Sequence, residues 1–273
     1  MRKLIYSAAF LYVSSVLVAA PDFKITPVPD GKFRVFKKQF SQHINVYGVR
    51  VFGTEKTPPV KLQHVAIVLA EYLDNNEDGR PDNPTVHAEL VRRDAFMAVT
   101  ETERAMERLD HEGFQNAGFH AGQGQFATET NPGGRRFDAT LEEVLHLITH
   151  VGYANAYPKI FGERPGTELA KCLDLARGGY FRRVPQRYPK GAWFTYDDHS
   201  CDYGCQCTEY LYWAITSVLG AQQAKHRRED IAHEWTLYNR DLVRKHDPGI
   251  YKLITDPRYM LPTRLPDGKY EVK

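Results

Sequence analysis

The chain has 273 residues, with 36 Lys and Arg against 34 Asp and Glu, a formal charge of +2, and 42% hydrophobic and 12% aromatic residues. That much apolar and aromatic material excludes a disordered chain, and near-neutrality gives no reason to expect a nucleic acid or an anionic membrane as partner. The length suits one large domain or two small lobes with ample core.

Residues 1–20 read as a secretory signal peptide: Arg2 and Lys3 form a basic start, Leu4 to Val18 is mostly apolar, and Val18-Ala19-Ala20 ends in small residues. Its removal takes the charge to about zero and implies a secreted, extracellular chain. No other stretch is long and apolar enough to span a bilayer. Residues 21–273 are then expected to form one secreted domain, with an α/β lobe at about 32–152 and a mostly helical lobe at about 153–273.

After a Pro-rich leader, residues 32–53 alternate apolar and polar at Ile44, Val46, Val49 and Val51, which predicts one or two strands. Pro58-Pro59 opens a helix from Val60 to Leu73. That helix runs into Asp74-x-Asn76-x-Asp78-Gly79-x-x-Asp82, oxygen ligands at alternate positions with a glycine for the sharp turn. The pattern resembles the opening of an EF-hand loop over 74–85. With Thr85 where a bidentate Glu usually stands, it is closer to the shorter calcium loops of extracellular repeat modules. The resemblance implies a structural Ca2+ on Asp74, Asn76, Asp78 and Asp82; the plain alternative is an acidic surface turn.

Val86 to Val91 predicts a short helix, Ala95 to Val99 a buried strand, and Glu101 to Leu109 another helix. Gln125 to Thr130 (QFATET) reads as an edge strand. Residues 138–152 (DATLEEVLHLITHVG) then give an amphipathic helix, with Leu141, Val144, Leu145, Ile148 and Val151 on its buried face and Gly152 as its stop. Glu143, His146 and His150 stand on one side of it, and two imidazoles one turn apart are how a helix offers two nitrogens to one zinc ion. Set against that, Thr140-x-x-Glu143 also fits a capping box, in which Glu143 does no chemistry.

Further helices are expected at 168–177, 208–222 and 229–245, separated by an aromatic, irregular stretch at 185–203 that holds Tyr196, Asp197 and Asp198. The cysteines are Cys172, Cys201, Cys205 and Cys207. An even count in an exported chain argues for two disulfides out of three pairings, against a thiolate metal site. Cys205 and Cys207 are too close to bridge easily, so Cys172 is expected to reach the cluster. Glu209 opens an otherwise apolar helix and wants a partner, either the helix N-terminus or a metal.

Here the pattern resembles the zincin metallopeptidases of the gluzincin type, in which two histidines one turn apart and a Glu from a later helix hold zinc. The resemblance covers about residues 40 to 225 in layout but few residues in motif. It implies Zn2+ on His146, His150 and Glu209, a peptide or protein substrate, and a zincin-like α+β fold. In that fold a small mixed sheet has its edge strand beside the metal helix, and a mostly helical lobe follows. One departure stands out: Leu147 occupies the position of the family's general base, a Glu directly after the first His. Glu143 is the expected substitute as base or ligand, with Asp197 or Asp198 as alternatives and Tyr196 as oxyanion donor. Two other readings stand beside this hydrolase. One is a non-catalytic secreted metal-binding pseudo-peptidase. The other is a di-metal oxidase built on Glu143-x-x-His146 and Asp230-x-x-His233.

Overall fold

The computed structural model describes residues 20–273, so the expected signal segment lies almost wholly outside the described residues. The architecture is α+β: a four-stranded mixed sheet and eleven α-helices among the described residues. The strands β1 (Gln42–Val46), β2 (Val49–Gly53), β3 (Phe96–Thr100) and β4 (Gly122–Phe126) lie side by side in that order.

β1 and β2 form an antiparallel hairpin, with Val46 paired to Val49 across the two-residue turn Tyr47-Gly48. Both turn residues have positive φ, 52° and 92°, as a tight hairpin whose twist matches its strands requires. Tyr47 tolerates this because its buried hydroxyl donates to Asp74 Oδ2 at 2.9 Å. β2–β3 and β3–β4 are parallel, so each connection crosses over through helix. The first crossover carries α1 (Pro59–Leu73) and α2 (Pro84–Arg92); the second carries the short α3 (Glu103–Met106) and α4 (His111–Asn116).

The two sheet faces bury different chemistry. One face packs Phe52, Phe96 and Ala98 against Phe33, Phe36, Phe40, Phe114 and Phe119, with Phe36 stacked on Phe52 at 4.2 Å and on Phe114 at 4.7 Å. The one or two strands expected over residues 32–53 are β1 and β2, while Gly31–Lys38 winds into a 3-10 helix that delivers Phe33 and Phe36 to this cluster. The other face carries Val51, Met97 and Val99 into the main core, which continues through the helices to Leu261. The edge strand is shifted from QFATET: β4 takes Gly122–Phe126 and shares only Gln125 and Phe126 with it. Residues there alternate faces, Gly122 and Gly124 toward the phenylalanines and Gln123 and Gln125 toward the helices.

After β4 the chain is helical. α5 (Thr140–Leu147) lies against β4 and passes into a π-helical turn, Ile148–Tyr153, and a last short turn, α6 (Ala154–Ala156). Gly152 does not stop this helix. It sits where an added Cβ would lie 2.7 Å from Val86 Cγ1, so it lets α2 close against the turn. The remaining helices are α7 (Glu168–Ala176), α8 (Tyr203–Leu219), α9 (Lys225–Ile231), α10 (Arg240–His246) and α11 (Pro248–Ile254). α8 is the buried centre of this half, ended by Gly220 at φ 94°, and the single expected helix at 229–245 is two helices.

Candidate metal centre

α5 and α8 bring three ionisable side chains together. Glu142, His146 and Glu209 each place one ligand atom within 4.8 Å of the other two, and among the described residues they are the only three or more His, Cys, Asp or Glu that do so. Glu142 and His146 are four residues apart on α5, so they project from one face. Glu209 arrives from α8, with its Oε2 at 3.5 Å from His146 Nε2. The His146 side chain is 8% exposed and Glu209 13%. His146 Nε2 is buried without a hydrogen-bond partner. A buried ring nitrogen facing carboxylates with nothing bonded to it is a vacant donor position, and it suits a cation.

The other ring nitrogen also has an acidic neighbour. Glu143 Oε2 lies 3.8 Å from His146 Nδ1 and accepts a hydrogen bond from Gln123 Nε2 of β4 at 2.5 Å. The capping-box role expected of Glu143 is therefore not taken. Glu143 also stands on the Nδ1 side, away from the nitrogen that faces Glu209. At 3.8 Å it is an ionic neighbour of that nitrogen, not a hydrogen-bond partner. The edge of the His146 ring meets the ring of Tyr212 at 5.4 Å between centroids.

Electrostatically, burial pushes the Glu142 carboxyl up to about 8 despite the pull of His146, and neighbouring Glu209 and Glu143 add to the rise. Burial of His146 opposes its charged form, but Glu209, Glu143 and Glu142 outweigh it and hold the ring at about 9. Burial also raises Glu209, while His146 and a hydrogen bond from Tyr196 pull it down. Tyr196 is pushed well up, by burial first and then by Glu209, so its hydroxyl stays a proton donor beside that carboxylate.

His150 is the main correction to the expected ligand set. Its side chain is 62% exposed and its Nδ1 pairs with Glu163 Oε2 at 2.5 Å. His150 lies in the π turn Ile148–Tyr153, and its pairing with Glu163 engages the ring away from the centre. Thr149 Oγ1 bonds back to Leu145 O at 2.9 Å, and the close approach of α2 at Gly152 favours this widened turn. Glu163 also accepts from Thr208 Oγ1 at 2.7 Å, so His150 fixes the residue just before Glu209 without joining the centre.

Glu209 itself is in the second turn of α8, which begins at Tyr203 rather than Thr208. The helix N-terminus as its partner falls away, since that field fades within the first turn. Asp202 caps the helix by accepting from Cys205 N at 3.0 Å, and the one disulfide, Cys201–Cys205, closes around this cap. The expected second disulfide is absent: Cys172 and Cys207 are free, on α7 and α8.

The other expected sites dissolve into ordinary structure. Asp74 is fully buried at the end of α1; its Oδ1 accepts from Asp78 N at 3.0 Å, and its Oδ2 from Gly79 N at 2.9 Å and from the hydroxyls of Tyr47 and Tyr270. Asn76 Oδ1 accepts from Asp78 N, Asp78 Oδ1 from Arg80 N, and Asp82 Oδ2 from Asn75 N. The carboxylates of Asp74, Asp78 and Asp82 are not drawn to one point as those of the centre are. The loop is a turn whose side-chain oxygens accept from its own amides. Asp230 and His233 are exposed, His233 beside Glu234 at 3.3 Å, so no second metal-binding copy accompanies α5.

The chain matches no family model, no curated protein and no solved structure. The ligand missed in the sequence was Glu142. It has the same four-residue offset from His146 on its N-terminal side as His150 has on the other, and that symmetry was the available signal.

Proposed function

We propose that this chain is an exported metal-dependent hydrolase of the zincin-like kind acting on peptides, with one divalent cation on Glu142, His146 and Glu209. The observation that carries the reading is the partnerless, buried Nε2 of His146 facing two carboxylates from two helices. One nitrogen and two carboxylate oxygens suit zinc, which would take the place of the protons that His146 and Glu142 otherwise hold. A cation held by these residues would supply Lewis-acid chemistry, polarising a substrate carbonyl and activating water near neutral pH. Glu143, bonded to Gln123, lies beside the His146 ring; Tyr196, kept protonated, is the donor for developing negative charge on a substrate oxygen. No strand pairs beyond β4 among the described residues, so an extended peptide has a ladder beside the centre to bond with. The Cys201–Cys205 disulfide supports an oxidising compartment.

Elemental analysis of purified variants tests the ligand set. Glu142→Gln, His146→Ala and Glu209→Gln are each expected to lose the metal, while His150→Ala keeps it. Full metal retention in His146→Ala overturns the assignment. Cleavage of a mixed peptide library, abolished by a chelator and restored by zinc, tests the hydrolase. One observation favours a second reading. Leu147, buried after His146, leaves the usual place of the base apolar, and metal occupancy without turnover would mark a binding protein.

A further inference from the structure

We infer that Arg227 is an anion-recognition residue of this site, and that the molecule bound there carries a carboxylate. The inference rests on the hydrolase reading for its substrate class, but it stands on separate residues. Arg227, on α9, is held on several sides. Its Nε donates to Gln222 Oε1 at 2.7 Å and its Nη2 to Tyr212 Oη at 3.2 Å. The guanidinium carbon lies 3.8 Å from the centroid of the Phe137 ring and 5.3 Å from that of Trp213. Tyr212 Oη also accepts from Gln222 Nε2 at 3.2 Å, and its ring centroid lies 5.4 Å from that of His146. Guanidinium, phenol and the candidate ligand imidazole thus lie in one contiguous run.

Both hydrogen-bond partners of Arg227 are neutral, and it makes no ion pair among the described residues. Glu234 feels the charge of Arg227 but sits instead against His233 at 3.3 Å. The Nη1 arm makes no hydrogen bond among the described residues. A planar fork already immobilised loses little entropy on binding, and its geometry matches a carboxylate. An unpaired, locked guanidinium one phenol away from a metal ligand is better suited to a ligand's charge than to the fold's own.

The test is binding, read apart from turnover. The full chain with zinc added is titrated with N-acetyl dipeptides as free acids, with the same dipeptides as amides, and with amides bearing an Asp or Glu side chain. Tryptophan emission, with Trp213 beside Arg227, and calorimetry follow the titration. At least one carboxylate-bearing arm is expected to bind more than tenfold tighter than the neutral amides, and which arm does so identifies a terminal or a side-chain carboxylate. Arg227→Gln should erase that difference while zinc content stays unchanged, and Arg227→Lys, which keeps the charge without the fork, should retain part of it. Equal binding of acids and amides by the unaltered protein overturns the inference, as does a preference that survives in Arg227→Gln. Loss of turnover with the preference intact would count against the hydrolase alone.

Discussion

Two histidines show how burial and partners set what a single ring does. His146 has Glu143 beside Nδ1 and is left unsatisfied at Nε2, the arrangement of a ligand. His43, on β1, is also buried, but its Nδ1 meets Thr26 Oγ1 at 3.0 Å and it lies beside Arg50. Burial first, and then the Arg50 charge, lower it from 6.5 to about 4. Because the folded value is the lower one, the fold prefers the neutral ring. The stabilisation is whole above 6.5 and is lost as the pH falls from there to about 4. The urea midpoint is expected to fall between about pH 7 and about pH 4.5, and to fall less in His43→Gln. An unchanged slope in the variant would show that the acid loss arises elsewhere. At this scale the sequence was legible where one side chain implied one neighbour: His146 and Glu209 do approach each other. It was illegible where two adjacent residues competed, because nothing in Glu142-Glu143 says which faces the centre until the angle between α5 and β4 is known.

Helix boundaries decide the site at the next scale. The apolar spacing of residues 138–152 implied one uniform helix, and its buried face is as expected, with Val144, Leu145, Ile148 and Val151 inside. The π turn was not legible, because its causes include a distant one: Val86 and Leu90 of α2 lie against Gly152. Gly152→Ala would set a methyl at 2.7 Å from Val86 Cγ1. Overpacking of this kind costs about 1–3 kcal/mol, and a drop in unfolding free energy of that size in denaturant titration is the expected result. No loss would mean that α2 yields freely. The start of α8 was misplaced for a related reason. Residues 185–203 read as irregular and the helix as beginning at Thr208, yet the Asp202 cap, inside the loop closed by the Cys201–Cys205 disulfide, starts it at Tyr203. The change moves Glu209 one turn inward.

The whole chain is stitched by its end. Glu71, buried on α1, accepts from the amides of Asp267 and Gly268, each at 2.9 Å, and Asn75 Oδ1 accepts from those of Thr263 and Arg264, each at 2.8 Å. Tyr270 bonds to Asp74, and Lys273 N donates to Glu77 O at 2.9 Å. Glu71, Asp74 and Asn75, at the end of α1, thus have hydrogen bonds completed by the last ten or so residues, a long-range pairing that local patterning does not reveal. Ending the chain after residue 262 would strip partners from two buried carboxylates and is expected to cost on the order of 3 kcal/mol, read as a lowered urea midpoint. Thermal stability indifferent to a calcium chelator is the companion expectation. The α+β class, by contrast, was legible from strand and helix periods in order, since those depend on nearest neighbours.

The two unbridged cysteines have a practical consequence. Cys207 is fully buried in α8, and burial pushes the Cys172 thiol up to about 12 and Cys207 higher still. Neither is a ready nucleophile in the intact molecule. A colorimetric thiol reagent should therefore modify Cys207 only as fast as α8 comes away from its surroundings, turning colour development into a clock for rare excursions of the native state.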